Sequence, residues 1–299
     1  MIGQELLKNK ESKAVEEFFQ IEYKTDYLFQ TYNKPIVAWG DGLLMGGGLG
    51  VFNGLSHRIV TPNTLLAMPE VGIGFFPDVG AGYFLNKKFQ ELGLFLGLTG
   101  ARFKADDAIY LDLADYKIDG SKKQEIFSKL LNETWSKENG EIRAKLSSIF
   151  SSYSLREKGD LKDVGQIYQW EEELKVKVGS SDWREVCEDL LSWKPPKNSW
   201  VEESLSFMRK GSPLSWALTI RYLRESSLKN IEDVLFDDLN FAFQFCKQED
   251  FREGIRALLI DKDQNPKWTF DFIDKIEEKD LNPYFERIIN KQLINDYFN

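Results

Sequence analysis

Between Gly40 and Gly50 the chain reads GDGLLMGGGLG, six glycines in eleven positions, and this run follows directly on the apolar stretch PIVAW from Pro35 to Trp39. Glycines this dense mean either that the backbone must take positive φ or that something must approach the main chain too closely for side chains to fit. An apolar run, a glycine bend and then a short apolar segment also predict a strand feeding a helix. That limits the chain to α/β architectures and marks the bend as a candidate site.

The flanking sequence extends the pattern. Val15, Phe18, Phe19, Tyr23, Tyr27 and Leu28 recur at mostly three- and four-residue steps, so an amphipathic helix is expected from about Ser12 to Tyr32. KPIVAWG reads as a buried strand, and a short helix is expected near Gly47 to Leu55. HRIVTP follows as a second short strand and TLLAMPE as a third extended piece, and the segment after Pro77 can open another helix. From about Ala105, ADDAIYLDLADYKI reads as helix then strand, after which the chain is polar, helical and poor in strands. Loop composition marks LREKGDLKDVG and KPPKNSW, and NIEDVLFDDLNFAFQFCKQ has the apolar spacing of a long amphipathic helix. An α/β core over residues 1–120 and a helical region over 121–299 is the expected division.

Three chemistries use such glycines. A phosphate-binding loop needs Lys and Ser/Thr after the last glycine, but Gly47 is followed by Gly48 and Leu49. A dinucleotide turn is nearer, with Gly40, Gly42 and Gly46 after a strand, yet the next strand ends without the acid that would hold a ribose. An oxyanion hole remains, in which a backbone N–H at a helix N-terminus faces developing negative charge. Tight strand-to-helix packing is the bland alternative for the same glycines.

Downstream, AMPEVGIGFFPDVGAGYF sets Glu70 and Asp78 eight residues apart, each directly after a proline and among Met68, Val71, Ile73, Phe75 and Phe76. Carboxylates in such surroundings lose solvation, which raises their pKa and suits them to acid, base or nucleophilic work. The sole histidine, His57, opens a predicted strand without an accompanying Ser or Cys motif, so a structural role is expected and a serine triad is set aside. No His/Cys cluster suggests a transition metal.

The joint pattern KPIVAWGDGLLMGGGLG, RIVTPNTLLAMPEVGIGFFPDVGAGYFL and LTGARFKADDAIYLDLADY resembles the crotonase (enoyl-CoA hydratase/isomerase) superfamily, and within it the branch of 3-hydroxyisobutyryl-CoA hydrolases. The likeness runs from EEFFQIEY to FREGIRALLIDKDQNPKW and is weak only over about residues 120–205. It implies a crotonase-like ββα spiral core followed by a mostly helical C-terminal region. It also implies that Gly47, with Gly46, lies at an oxyanion hole for a thioester carbonyl. Glu70 then stands for the catalytic carboxylate, Asp78 for a second one, and Glu22 for a substrate-contacting glutamate. Lys262, near Arg252 and Arg256, matches a family lysine for the CoA phosphates.

Hydratases of this superfamily carry a glutamate just after the glycine run. Here that position is Gly50, while Asp78 stands where hydratases have a small residue, and this favours thioester hydrolysis over water addition to a double bond. Glu70 would either attack the carbonyl or activate water, with Asp78 assisting the departing thiolate. No cofactor is implied, since coenzyme A belongs to the substrate. The family's first strands and its second oxyanion donor would lie upstream of Met1. On that expectation the core is N-terminally incomplete and the chain alone is weakly active or inactive, because losing one such donor costs about 10²–10³ in rate. An enoyl-CoA hydratase/isomerase, or a non-catalytic protein that binds acyl-CoA or a partner, are the other readings.

Composition narrows the partners. With 39 basic against 48 acidic residues the net charge is −9, which argues against nucleic-acid and anionic-membrane surfaces. Cys187 and Cys246 match no metal or disulfide spacing, and no apolar run reaches bilayer length, so the cytoplasm, or the mitochondrial matrix in a eukaryote, is the expected place. Assembly into oligomers is left open.

Overall fold

The computed structural model describes residues 2–9, 12–155 and 165–289. Two helices precede the glycine bend, α1 (Ile2–Lys8) and α2 (Lys13–Thr31). Helix α2 buries Val15, Phe19, Tyr23 and Asp26 at steps of four, four and three, which is one face of a 3.6-residue period. The last of these is a carboxylate, at a place where periodicity alone expects an apolar side chain.

Strand β1 (Val37–Gly40), strand β2 (Leu43–Met45), helix α3 (Gly47–Gly54), strand β3 (His57–Val60) and strand β4 (Leu65–Ala67) follow in quick succession. A 3₁₀ turn spans Glu70–Ile73, and then come α4 (Ala81–Phe84), α5 (Gln90–Thr99), β5 (Phe103–Lys104), α6 (Ala105–Tyr110) and β6 (Tyr116–Lys117). One sheet has the order β1-β3-β6, all parallel, with Val37 opposite His57 and Gly40 opposite Val60. The other has the order β2-β4-β5, in which β2 and β4 are parallel and β4 and β5 antiparallel. Consecutive strands β1 and β2 therefore lie in different sheets, and the corner between them is made at Asp41 and Gly42, where Gly42 has φ of 88°. Asp41 Oδ1 accepts from the Thr61 hydroxyl at 2.7 Å, and the Thr64 hydroxyl donates to Gly40 O at 2.9 Å, so side chains close the corner.

The expected α/β order is present, as are the strand at 37–40 and the helix starting at Gly47. Strands β2 and β5 are additions. Each is two or three residues long, too short for a period to register, and each exists because its backbone groups pair with β4. The loop expected at 155–165 falls, apart from its two end residues, outside the described residues.

The remainder is helical: α7 (Lys123–Asn132), α8 (Asn139–Tyr153), α9 (Gln166–Val178), α10 (Trp183–Ser192), α11 (Trp200–Met208), α12 (Pro213–Ser226), α13 (Ile231–Lys247), α14 (Glu249–Ile255) and α15 (Glu278–Phe285). Helix α13 lies along α2, and one continuous apolar cluster extends from Leu6 to Tyr284. Aromatic packing joins the helical region to the site: Phe76 stacks on Phe245 at 5.2 Å between centroids and Phe75 on Phe251 at 4.2 Å. Those two rings are adjacent to Pro77 and Asp78, so they plug the FFPDVG turn into the core. Among the described residues no helix is long and apolar enough to cross a membrane.

Candidate active site

Gly46 has φ of 53° and ψ of −128°, a conformation closed to residues with a Cβ, and it ends β2 so that α3 can begin at Gly47. Its own N–H donates to Ala67 O, and its carbonyl accepts from Leu49 and Gly50. The N–H groups of Gly47 and Gly48, in the first turn of α3, donate to no backbone carbonyl among the described residues. A Cβ on Gly46 would lie 2.7 Å from Glu70 Oε1, and one on Gly47 would lie 3.0 Å from Glu22 Oε1. The groups that crowd the glycine bend are thus two carboxylates, one from the 3₁₀ turn and one from α2.

Glu70 is buried, and its Oε2 has no hydrogen-bond partner among the described residues. Burial first, and then the charge of Asp78, hold its carboxyl well above the ordinary range. Asp78 is buried too, and burial pushes it up to about 6, a rise restrained by the hydrogen bond that the Tyr23 hydroxyl donates to Oδ2 at 2.7 Å. Glu22 is pushed up to about 8 by burial and by Asp78, and Asp26, one helical turn on, also to about 8 by burial, Glu22 and Asp78. Four acids in one apolar setting cannot all be charged; each ionisation makes the next harder.

Of the residues expected from sequence, Glu22, Gly46, Gly47, Glu70 and Asp78 come together here. Lys262 lies on a different segment, exposed and with φ of 57°, just beyond the π-helical turn Arg256–Ile260. Its companions are engaged elsewhere: Arg252 donates to Leu6 O and Leu7 O, and Arg256 pairs with Glu253, Asp261 and Asp263. His57 is held between Ser56 Oγ at 2.9 Å and Arg143 O at 3.2 Å, with Tyr116 stacked on the ring, and burial lowers its pKa.

Tyr23 and Asp26 were not singled out in the sequence. Their signal was the i, i+4 placement of Glu22 and Asp26 around a tyrosine, which reads equally as a solvated helix face until α2 is seen to pack. The turn after Pro77 holds a further surprise in Val79, with φ of 53°, a left-handed conformation that is rare for a β-branched residue and costs on the order of 1–3 kcal/mol. Its side chain fills the space in front of Gly50: a Cβ on Gly50 would meet Val79 Cβ at 2.5 Å and Val79 O at 2.9 Å. A side chain at position 50 would have to displace the turn that presents Asp78. Among the described residues no group of His, Cys, Asp and Glu is arranged to hold a metal ion.

Chemically, the arrangement offers free N–H groups at a helix N-terminus, where an oxyanion can be stabilised, beside two buried carboxyls, one of which feels the charge of the other. A sequence model of the enoyl-CoA hydratase/isomerase family matches residues 3–285. The mitochondrial 3-hydroxyisobutyryl-CoA hydrolase of Homo sapiens is 34% identical over 277 residues, covering 92% of this chain and 69% of the relative. That of Bos taurus is 32% identical over 287 residues, covering 96% and 72%. A carnitinyl-CoA dehydratase from Mycobacterium thermoresistibile superposes with a TM-score of 0.80 at 27% identity, covering 96% of this chain and 78% of that one.

Proposed function

Because the chain belongs to the enoyl-CoA hydratase/isomerase family, it acts on a CoA thioester, and we propose that the reaction is hydrolysis of a short hydroxyacyl-CoA of the 3-hydroxyisobutyryl type to the free acid and CoA, a step of valine breakdown. The observation that carries the reading is that Glu70 and Glu22 crowd Gly46 and Gly47, with the charge of Asp78 felt by both acids, while Val79 fills the place of a hydratase's second acid. The hydratase alternative lacks room for that acid.

In the mechanism we propose, the thioester oxygen lies against the N–H of Gly47, where the amide and the helix dipole stabilise the tetrahedral oxyanion. Glu70 and Asp78 share one proton at neutral pH. The resting proton lies on Glu70, the more strongly raised of the two; once it has passed to Asp78, the Glu70 carboxylate attacks the carbonyl carbon, directly or through a water molecule that it deprotonates. The C–S bond then breaks, and Asp78 gives its proton to the departing thiolate. In the direct route, water next cleaves the Glu70 anhydride and returns the proton to the pair. Glu22, against Gly47, contacts the acyl portion, and Lys262 is proposed for the CoA phosphates.

No cofactor is called for, coenzyme A being carried by the substrate. The acyl-CoA is the proposed partner. Cys187 and Cys246 are buried free thiols, in keeping with a reducing compartment such as the mitochondrial matrix or the cytoplasm. The test is thiol release from 3-hydroxyisobutyryl-CoA by the purified chain, with crotonyl-CoA hydration followed in parallel. Hydration without thiol release, or tight binding without cleavage, overturns the reading. Single turnover in heavy-oxygen water separates the two routes, since label reaches Glu70 only through the anhydride.

A further inference from the structure

The proposed mechanism leaves the buried carboxyl of Asp238 unused. Asp238 lies on α13, fully buried, 158 positions from the turn it touches. Its Oδ2 accepts from the Gly80 N–H at 2.7 Å, and its Oδ1 accepts from the Tyr222 hydroxyl of α12. Gly80 has φ of 83° and directly follows Val79, so Asp238 grips the turn two residues past Asp78.

That turn holds Val79 in a left-handed conformation, and such a residue persists only where its surroundings over-determine it. Several restraints act together here. The Asp78 carbonyl accepts from the Ala81 N–H at 2.9 Å, Tyr23 holds the Asp78 carboxyl, and Val79 is pressed onto Gly50. Room for the clamp is made by two glycines. A Cβ on Gly82 would lie 2.7 Å from the Tyr222 hydroxyl, and one on Gly80 would lie 3.0 Å from Ile231 Cδ1.

We infer that Asp238 is a positioning residue of the thioesterase site: by fixing the Gly80 N–H it holds the Asp78 carboxyl where Tyr23 and the substrate meet it. The inference rests on the reading that Asp78 serves thioester hydrolysis. Without an acceptor at position 238 the Gly80 amide is left buried and unpaired, and the turn relaxes by releasing Val79, which carries Asp78 out of line. A displacement of about 1 Å at a reacting group can cost on the order of a hundredfold in rate.

The test uses the full chain and 3-hydroxyisobutyryl-CoA. The double variant Tyr222→Phe with Asp238→Leu removes the Tyr222–Asp238 pair together and keeps its branched shape, so that the Gly80 amide is the one group left without its partner. Its kcat is expected to fall about ten- to a hundredfold with KM within about threefold, whereas Tyr222→Phe alone stays within about threefold. Asp238→Asn retains most of the turnover, because its amide oxygen still accepts from Gly80 while its NH₂ donates to Tyr222. In an Asp78→Asn background, Tyr222→Phe with Asp238→Leu changes kcat less than about twofold, as befits residues acting through one another. Should the double variant not fold, Tyr222→Phe with Asp238→Val, smaller at the same place, carries the same expectation. An active enzyme in which loss of the acceptor leaves kcat at the wild-type level overturns the inference, as does a full penalty that persists without Asp78. A wild-type chain that cleaves no thioester refutes the proposed function instead, so the two failures are distinct.

Discussion

The hydroxyl of Tyr23 donates to Asp78 Oδ2 at 2.7 Å, joining α2 to the turn after Pro77 across 55 positions of sequence. Both groups are buried, and the bond restrains the rise that burial gives the carboxyl, which stands at about 6. Tyr23→Phe removes the restraint, so the pKa of Asp78 rises further. If activity needs one proton shared between Glu70 and Asp78, turnover is lost as pH falls through the lower pKa of the pair, and the acid limb of the kcat profile moves to higher pH in the variant. A net loss of about tenfold or more at neutral pH is expected, as for hydrogen bonds to charged groups. An acid limb that stays in place would count against the pairing.

Glu70→Gln replaces a buried carboxyl with no partner on Oε2 by a neutral amide of the same size. Thioester cleavage should drop by about 10²–10⁴, the range for removal of an acid or base group, while the melting temperature holds or rises. Turnover within tenfold of the wild type would remove Glu70 from the chemistry.

Gly50→Glu restores the acid that hydratases carry, yet its Cβ would meet Val79 Cβ at 2.5 Å. Overpacking of this kind costs about 1–3 kcal/mol, so the melting temperature falls and Val79 is displaced, taking Asp78 with it. Thioesterase activity decreases and crotonyl-CoA hydration does not appear. A stable variant that hydrates crotonyl-CoA would show that the site was one residue from a hydratase.

Stability should track the raised acids. The folded pKa of Asp26, about 8, lies above its unfolded value of about 3.9, so the folded state holds the extra proton. That contribution is complete below about pH 4 and is lost as pH rises toward 8. Asp26→Asn has no such loss. Melting curves of wild type and variant, measured from pH 5 to pH 8.5, should diverge, with the variant gaining at the alkaline end. Parallel curves would mean that Asp26 titrates normally.

The bend, the helix that starts at Gly47 and the burial of Glu70 and Asp78 were legible in the sequence, because each follows from neighbours only a few positions away. Glycine sterics decide the backbone at Gly46, and the flanking Phe75 and Phe76 draw the turn inward. The resemblance supplied Glu22, which the residues alone read as a solvated position. Strands β2 and β5 were illegible, since their existence depends on a partner strand and not on their own composition.

Sequence alone therefore determined the order of elements around the glycines and the chemical kinds of group near them, because φ and ψ preferences and apolar periodicity act locally. Only the packed fold decided that Tyr23 would hold Asp78, that Val79 would occupy the space before Gly50, and that Asp238 would grip Gly80. Those outcomes depend on how α2 and α13 settle against the turn. Burial removes water as a competing partner there, so the only donors and acceptors left are those that distant segments bring.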